Sequence, residues 1–592
     1  MQFYRLHFSY LKGVRKYKKE YMKMSNVFSS ADTIWVLLGA LLVFWMQAGF
    51  TMVEAGFTRA KNTGNIIMKN VMDFVLGTIL FWIIGFGLMM GDDMGGIIGQ
   101  IDPFIRGNYD SSFPTYAFVI FQTVFCATSA TIVSGAMAER TKFTSYLIYS
   151  AVISAVVYPI SGHWIWGGGW LSQMGFHDFA GSTAVHMVGG VSAFIGAAVL
   201  GPRLGKYSKD RKSHAIPGHN ILLGCLGVFI LWMAWFGFNG CSTVAMSTDA
   251  DMTSASLVFV NTNMAAASAT LATMLFTWFK YKSPDVSMTL NGSLAGLVAI
   301  TAGCDMVSPT GAFIIGLAAG ILVVVAIEFT DQKLKVDDPV GAVAVHGCCG
   351  AFGTVMTGLF AVDQGLLYGN GAHFFLVQLL GVAVVILYVA AVMTIVFSLI
   401  KRTVGLRVTE EEEILGLDVT EHGLVSAYAD FAPAGDFYYS LEDGQGAFAP
   451  SLEEAGGYYP EITREESRIR VERSSTGLSK VTIVINKDKF SKLKKAMEEI
   501  NVTGMTVTNV MGCGVQKGRK NYYRGSEVEA ILLPKLKVEI VVASVPVENV
   551  IRAARKAVYT GQVGDGKIFV YGLDDVCRIS NGDRGYDALQ NH

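Results

Sequence analysis

Charged residues are scarce in this sequence. Asp, Glu, Lys and Arg make up only 16% of its 592 residues, whereas 52% are hydrophobic, and the mean hydropathy is +0.41. The formal net charge of −1 gives no sign of a basic surface, so we expect no nucleic-acid partner. This composition excludes an ordinary water-soluble chain and indicates a membrane protein.

Cysteine is also rare, with 8 residues. Most of them fall in apolar stretches before residue 400, and only Cys513 and Cys577 come later. Their spacing gives no disulfide framework. Free thiols are therefore expected.

Apolar runs of about 20 residues, each long enough to cross a bilayer, fill the chain up to residue 400. Many contain Gly, Ala and Ser, which suits closely packed membrane helices. The sequence thus predicts a polytopic α-helical membrane protein. We interpret eleven runs as spans: 33–54, 65–90, 117–137, 144–164, 181–200, 219–239, 256–278, 287–304, 309–328, 340–362 and 373–400.

The basic residues between the spans predict the orientation, because short cytoplasmic loops are enriched in Lys and Arg. Odd-numbered connections carry most of these residues, and Lys401 and Arg402 follow the last span. The carboxyl-terminal part is therefore expected in the cytoplasm, and the first span is expected to start outside. The cationic segment 1–30 disagrees with this orientation, and a translation start at Met22 or Met24 would remove most of it.

A repeated pattern, D-x-x-G-x-x-A-V-H, opens spans five and ten. It runs from Asp178 to His186 in one copy and from Asp338 to His346 in the other. The predicted topology gives the copies opposite directions, and inverted repeats place a transport site near the midplane. Each histidine is eight residues from its aspartate, or about 12 Å along a helix. We therefore expect the two imidazoles to approach each other near the middle of the membrane.

Histidines at this depth are costly unless they face a polar partner or a pore. One interpretation is a pair of histidines that simply stabilises helix contacts. A metal site is a second, but these two spans offer no Asp or Glu beside the pair, and Cys348 and Cys349 do not complete a recognisable ligand set. Imidazoles that share a proton along a narrow pore fit the matched placement best.

Aromatic residues suitable for the mouth of such a pore are Phe125, Trp166 and Phe238, and Ser242 follows shortly after the last of these. Aromatic rings attract a cation, and a hydroxyl accepts its hydrogen bonds. Taken singly, each ring is more simply explained by packing.

The stretch DFAGSTAVHMVGGVSAFIGAAVLGPR, residues 178–203, resembles the signature of the Amt/Mep/Rh ammonium transporter family. VFCATSATIVSGAMAER, WIWGGGWL, WFGFNG and DDPVGAVAVHGCCG are similar to further parts of that family, and the resemblance covers about residues 30–430. It implies an eleven-helix homotrimer in the cell inner (plasma) membrane, with one ammonium or ammonia pore per subunit. It implies no enzymatic activity and no cofactor for transport.

At the outer side, the resemblance assigns Trp166, Ser242 and Phe125 to an ammonium recruitment site. Phe125 and Phe238 correspond to a stacked gate. Cys241 stands where the family usually has a small residue, and we expect only fine tuning from it.

Deeper in the pore, Asp178 corresponds to the family's buried acid, and His186 with His346 to its twin-histidine pair. The implied mechanism recruits ammonium ion outside, deprotonates it and passes ammonia along the histidines while the proton crosses separately. An alternative is an ammonium sensor that binds the ion with little transport. The intact histidine pair argues against that alternative.

The composition changes after the last span. Segment 403–430 resembles the family's cytoplasmic tail, and the next fifty residues are rich in Glu, Gly, Tyr and Pro without apolar periodicity, as expected of a tether. We divide the chain into a leader 1–30, a membrane domain 31–402, a cytoplasmic segment 403–430, a linker 431–479 and a regulatory module 480–592.

The module alternates as an α+β domain. The predicted order is βαββαβ, which is the ferredoxin-like arrangement. A long polar loop at 512–534 separates the second and third strands, and such loops are usually functional. The predicted strands are 481–486, 505–511, 536–542 and 567–571, and the predicted helices are 487–500 and 547–559.

Residues 561–567, GQVGDGK, suit phosphate binding and suit a tight turn equally well. Together with GMTVT at 504–508, GCGVQKG at 512–518, YRGSE at 523–527 and LPK at 533–535, they resemble a PII nitrogen-signalling protein. The match covers nearly all of 480–592. It implies a trimeric module that binds ADP or ATP between subunits, with 2-oxoglutarate chelating the magnesium of bound ATP.

The same resemblance assigns 2-oxoglutarate to Gln516 and Lys535, and the magnesium ion to Gln516. Arg524, with its permanent charge, corresponds to a pore-blocking arginine. The residues assigned to nucleotide are Thr506, Gly514, Gly564, Asp565, Gly566, Lys567 and Arg578.

Three positions depart from the PII pattern. Val515 and Ser580 replace arginines that contact phosphate, so we expect weaker nucleotide binding. Val528 replaces a tyrosine that is uridylylated in many relatives, so that switch is absent at this position.

The fusion predicts regulation within one assembly. A tether gives the module an effective concentration of order millimolar at its own pore. We expect contact through residues 514–532 in response to nucleotide and 2-oxoglutarate. An ATPase is a weaker interpretation, because no paired base and nucleophile accompany the glycine-rich loop.

Overall fold

The computed structural model describes residues 28–424, 427–428, 477–502, 504–512, 520–523, 526–529, 533–561 and 564–589. Its contacts form two compact units, Met1–Ala427 and Tyr428–His592. Several sequence predictions fall outside the described residues: the start sites Met22 and Met24, nearly all of the leader and the linker, and Gly514, Gln516 and Arg524.

The described part of the first unit has ten helical segments that are long and apolar enough to cross a membrane. The prediction of a polytopic helical membrane protein is therefore confirmed. The predicted span 287–304 is a shorter apolar helix, α8, Val286–Ile300. The ten segments are α1 Ser30–Phe57, α2 Ala60–Met90, α3 Thr115–Ala136, α4 Phe143–Gln173, α5 Ser182–Leu200, α6 Ile221–Thr243, α7 Asp249–Tyr281, α9 Pro309–Leu334, α10 Val343–Phe360 and α11 His373–Thr403.

Side chains that accept backbone N–H groups fix where several of these helices begin. Ser29 accepts from Asp32 at 3.1 Å at the start of α1, and Asp285 accepts from Met288 at 2.9 Å at the start of α8. Thr248 caps α7 in a reciprocal box with Asp251. Because the first N–H groups of a helix have no partner inside it, these caps define the boundaries.

The middle of the first unit is formed by α3, α5 and α10. Residues 121–140 and 180–190 are buried without interruption. By contrast, α7 and α11 expose large apolar side chains such as Phe279 and Leu387. The buried helices therefore surround the pore candidates, and the outer helices present apolar surface. Two short strands, β1 Asp93–Met94 and β2 Ile98–Gly99, pair between α2 and α3.

The segment after α11 folds back on the start of α2 as two short helices, α12 Glu410–Leu415 and α13 Leu417–His422. Lys61 donates to the carbonyl of Ile414 at 2.8 Å, and Asp418 accepts from the backbone N–H of Asn65 at 2.8 Å. The tail is thus held by hydrogen bonds to the start of α2.

The second unit has a four-stranded antiparallel sheet in the order β4-β7-β3-β8. Two helices, α14 Phe490–Glu498 and α15 Val547–Val558, pack on one face of it. This arrangement confirms the ferredoxin-like prediction. The strands are β3 Ser479–Asn486, β4 Thr506–Gly512, β7 Leu533–Val542 and β8 Gly566–Gly572.

Two local predictions for this unit differ from the structure. The polar loop 512–534 contains an antiparallel hairpin, β5 Lys520–Tyr523 with β6 Ser526–Glu529. Tyrosine and valine in these segments favour extended backbone, and the many charged residues around them hid that signal. The helix predicted over 487–500 begins only at Phe490, after a 3₁₀ turn at Lys487–Lys489.

Candidate functional site

The start of α5 depends on Gly181 and Asp178. Gly181 has φ 115°, a conformation that favours glycine. The Asp178 carboxylate accepts backbone N–H groups from Gly181 at 3.0 Å and from Thr183 and Ala184 at 2.8 Å each. The predicted buried acid is therefore a helix cap, and it satisfies three donors that the buried helix start would otherwise leave unpaired.

The start of α10 repeats this geometry. Gly341 has φ 86°, and Asp338 accepts from Gly341 at 3.0 Å and from Val343 at 2.8 Å. The two copies of the sequence pattern thus have the same local structure. The aspartate and glycine of the pattern are needed to begin the helix, and the histidine follows one to two turns later.

Both histidines lie in π-helical turns. These turns are Ser182–Met187 and Val343–Cys348. The backbone N–H of His186 donates to the carbonyl of Gly181 at 3.0 Å, five residues earlier. Such wide turns are rare and occur frequently at functional sites.

The two imidazoles meet directly. Nδ1 of His186 lies 3.3 Å from Nδ1 of His346, and the ring centroids are 5.2 Å apart. One ring must donate and the other accept, so this contact holds a single proton. Both rings are buried, and Nε2 of His186 has no hydrogen-bond partner among the described residues.

The helices that carry the pair cross in opposite directions through glycine contacts. A Cβ on Gly190 would come within 2.1 Å of the backbone of Gly347, and one on Gly350 within 2.5 Å of the carbonyl of Ser182. Residue numbers therefore rise along α5 as they fall along α10. This is the opposite orientation that the inverted repeat predicts.

A column of aromatic rings continues from the histidine pair. His186 stacks on Phe238 with centroids 5.2 Å apart, and Phe238 stacks on Phe125 at 4.3 Å with an interplanar angle of 30°. Trp235 lies beside His186 at 5.0 Å and donates its indole N–H to Thr301. The rings of Phe125 and Phe238 are buried, so together they close the column.

The remaining outer candidates, Trp166 and Ser242, contact different phenylalanines. Trp166 meets Phe125 edge-on at 6.4 Å, and its indole N–H donates to the carbonyl of Asp178 at 2.7 Å. The hydroxyl of Ser242 donates to the carbonyl of Phe238 at 2.7 Å. The structure therefore brings Trp166 and Phe125 together and attaches Ser242 to the other phenylalanine.

A small cavity has His346 and Glu54 in its lining. The sequence analysis does not single out Glu54, because Glu54 ends span one and lies outside the two spans that carry the histidines. An acid inside an apolar run was the available signal. Over the residues that the structure describes, there is no His, Cys, Asp and Glu grouping able to hold a metal ion.

In the second unit, Lys535 connects the glycine-rich turn to the sheet. It donates to the carbonyl of Gly564 at 3.1 Å and also contacts Asn486. Burial lowers the pKa of Lys535, and the carboxylates of Asp488 and Asp565 oppose that shift. The 2-oxoglutarate candidate and the nucleotide candidates of this turn are thus neighbours.

Asp565 organises the same turn. Its carboxylate accepts from the hydroxyl and the backbone N–H of Thr560 and from the N–H of Gly561 at 3.2 Å. The Thr560 hydrogen bonds hold the pKa of Asp565 below its ordinary value. Gly564 and Gly566 both have positive φ, at 112° and 127°, so their amides point in directions that other residues rarely allow.

Thr506 is separated from this turn. Thr506 of β4 pairs with Glu539 of β7, and Glu539 pairs with Thr482 of β3. Thr482 pairs in turn with Phe569 of β8, which is two residues from Lys567. Three strand spacings of about 4.8 Å place these edges roughly 14 Å apart. Arg578 lies beyond β8, where it donates to the carbonyls of Asp587 and Ala588. A single chain therefore does not unite the nucleotide candidates.

Comparisons with known proteins agree with this division into two units. Residues 34–427 match the model of the Ammonium Transporter Family, and residues 478–583 match that of Nitrogen regulatory protein P-II. Ammonium transporter Amt2 of Archaeoglobus fulgidus is 46% identical over 423 residues, which cover 68% of this chain and 88% of that protein. Ammonium transporter 1 member 3 of Solanum lycopersicum is 36% identical, over 67% and 93% of the two chains.

Solved structures similar to this chain include one titled Sensor Amt Protein. It has a TM-score of 0.63 and 41% identity, and the match covers 66% of this chain and 98% of that one. Candida albicans Mep2 has a TM-score of 0.61 and 27% identity, over 67% and 90% of the two chains.

Proposed function

Because the chain belongs to the Ammonium Transporter Family and carries a C-terminal PII-type domain, we propose that it is an ammonium transporter regulated by its own attached module. The membrane unit recruits ammonium ion outside, removes a proton and conducts ammonia. The observation that carries this proposal is the buried contact of His186 with His346 at the end of a closed aromatic column. Charge is costly in that environment, and neutral ammonia is not.

The outer residues have separate roles. Trp166 and Phe125 offer ring faces to the cation, and Ser242 offers a hydroxyl oxygen to its N–H groups. The stacked rings of Phe125 and Phe238 admit one small molecule at a time. Potassium ion has no proton to release, so it stays outside. No enzymatic step is part of this function.

The basic residues of the loops indicate the membrane and the orientation of the protein. The basic connections favour the inner (plasma) membrane with the first span starting outside and the module in the cytoplasm. A homotrimer would complete the nucleotide site, because Thr506 and Lys567 lie on opposite sheet edges of one chain.

The regulatory ligands fit the residues of the glycine-rich turn. The backbone amides of Gly564 and Gly566 suit phosphate oxygens, and Lys567 supplies a cation; Lys535 suits a carboxylate of 2-oxoglutarate. ADP, or ATP with magnesium, would bind there. Arg524 on the loop between β4 and β7 is the residue proposed to block the pore.

The test is ammonium-evoked current in proteoliposomes with the full chain and with a chain ending at residue 427. Each is measured with ADP and with ATP, magnesium and 2-oxoglutarate. We expect both to conduct and only the full chain to respond to the effectors. Loss of conduction in a well-folded truncation would contradict the proposal.

A second candidate is an ammonium sensor, which the 41% identity to a protein titled Sensor Amt Protein favours. In that case ammonium would bind, the module would respond, and neither chain would carry current or ammonia. The same proteoliposomes distinguish the two functions.

A further inference from the structure

Three charged side chains are buried beside the pore candidates without a part in the conduction path described above. Glu54 of α1 is 3% exposed, and Lys69 and Asp73 of α2 are 1% and 0% exposed. Ionisable groups inside a membrane protein are costly and characteristically belong to ion or proton pathways. The burial of these three groups therefore indicates a functional role.

Ser134 of α3 joins the first two of these groups. Its hydroxyl donates to Oε2 of Glu54 at 2.7 Å, and its backbone carbonyl accepts from Nζ of Lys69 at 3.2 Å. The ammonium group of Lys69 is thus held near the Glu54 carboxylate by one shared residue.

Tyr146 of α4 continues the connection to Asp73. Nζ of Lys69 lies 5.1 Å from the centre of the Tyr146 ring, and the Tyr146 hydroxyl donates to Asp73. Ser150 donates to the second oxygen of Asp73 at 2.6 Å. A chain of contacts therefore links Glu54 to Asp73 through four helices, by hydrogen bonds and by the cation–π contact of Lys69 with Tyr146, and one cation lies between two carboxylates.

Glu54 is also the end of this chain that faces the pore. It lines the same small cavity as His346, and Asn291 adds a polar side chain to the wall. The cavity offers about 20 Å³ to the centres of water molecules, and one water needs roughly 10–15 Å³ by that measure, so the cavity has room for about one water molecule. Nδ1 of His346 also contacts Nδ1 of His186.

We propose that Glu54 is the acceptor that takes the proton of ammonium from the histidine end of the pore and delivers it toward the cytoplasm. This inference rests on the proposed transport function and names the separate route of the proton. Lys69 and Asp73 form the charged surroundings of the acceptor.

Ammonium ion at the outer site splits into ammonia and a proton. The proton passes along the imidazole pair and through cavity water to the Glu54 carboxylate, which becomes a neutral acid. The acid then releases the proton to cytoplasmic water and regains its charge. With Lys69 positive and Asp73 negative, the cluster alternates between net charges of −1 and 0, and ammonia follows the pore.

The test uses the full chain in proteoliposomes and compares E54Q with E328Q. Glu328 is a matched control, since it is hydrogen-bonded to Tyr281 at 2.6 Å and paired with Lys280, and it does not line the cavity. Two signals are recorded after an ammonium jump: the current, and the luminal pH reported by a trapped dye.

For E54Q we expect at least a tenfold loss of current together with stronger luminal alkalinisation, because ammonia then enters without its proton. E54D should restore part of the current, and E328Q should match the unmodified protein. K69M serves as a second variant, with the same loss of current expected in protein that elutes as the unmodified chain does.

Two results would overturn the proposal while leaving transport intact: E54Q with full current, or an unmodified protein that shows alkalinisation without current. Loss of both signals in folded E54Q would also overturn it, because Glu54 would then serve conduction in general. Absence of both signals in the unmodified protein would contradict the transport function itself.

Discussion

Gly190 packs against the backbone of Gly347 so closely that even one added methyl group would be only 2.1 Å from the Gly347 nitrogen. This contact is four residues past His186 and one past His346. The distance between the imidazoles therefore depends on the absence of a side chain at position 190.

Gly190→Ala should accordingly separate the helices that carry the histidine pair. Overpacking of this kind costs about 1–3 kcal/mol, so we expect a lower melting temperature in detergent and reduced ammonia flux. Gly77→Ala is the matched control, because a Cβ there would be 3.5 Å from Ala127, an ordinary contact. Equal melting temperatures for the two variants would contradict the assignment of Gly190 to the crossing.

Removal of the stacked gate ring should change selectivity rather than abolish transport. Phe238→Ala deletes the ring that stacks on both Phe125 and His186, so hydrated ions gain access to the column. We expect the ratio of ammonium to potassium current to fall at least tenfold. Phe236→Ala is the control, since Phe236 stacks on Phe259 instead. Unchanged selectivity in Phe238→Ala would show that the stack is not the barrier.

The ion pair of Asp337 with Arg203 predicts a pH dependence. Both Nε and Nη2 of Arg203 donate to Asp337, at 2.8 and 2.9 Å. Burial alone would raise the pKa of Asp337, but the charge of Arg140 and the Arg203 hydrogen bonds hold it well below the ordinary value of 3.8. Its stabilisation is complete above pH 3.8 and is lost only as the pH falls further, through the lowered folded-state pKa.

Asp337→Asn should therefore destabilise the membrane unit by about 3 kcal/mol at neutral pH, at the low end of the cost of breaking a buried ion pair, because Arg203 loses its two-point partner and keeps Glu139 at 3.3 Å. Thermal unfolding at pH 7 and at pH 5 should show the same deficit. A deficit that disappears between these two pH values would mean that Asp337 titrates there, against this prediction.

The separation of Thr506 from Lys567 predicts complementation between subunits. Homotrimers of Thr506→Glu or of Lys567→Glu should each lose ADP binding, because the added carboxylate repels phosphate. Co-assembled trimers of the two variants should recover part of the binding, since some interfaces combine both unmodified residues. A site contained in one chain would show no recovery, and equilibrium binding of labelled ADP distinguishes the outcomes.

The apolar runs, the repeated motif and the strand alternation of the sequence predicted the fold well. Apolar runs gave the positions of the spans because hydrocarbon thickness sets their length. The D-x-x-G-x-x-A-V-H repeat predicted the meeting of His186 and His346, since two inverted copies have few ways to pack. The strands β3 and β8 were placed to within two residues at each end because of their apolar alternation.

Features that depend on contacts between distant segments could not be predicted from the sequence. The π turns around the histidines have no residue signature, and the function of Asp178 as a cap becomes clear only from its hydrogen bonds. The sequence shows Glu54 as an acid inside an apolar run, but not its contacts with Ser134 and Lys69, which come from other helices. The hairpin of β5 and β6 was not predicted, because charged residues in and around its two strands obscure their extended-strand pattern.

The π turns also determine which way the later part of each helix faces. An α-helix advances about 100° per residue, so a turn that holds one additional residue rotates everything beyond it by about that angle. In α5 this rotation lies between the Asp178 cap and the Gly190 crossing. Deletion of one residue within 182–187 would leave cap and glycine intact but swing Gly190 away from its partner. The two inverted copies therefore share this rotation about the helix axis as well as their sequence pattern.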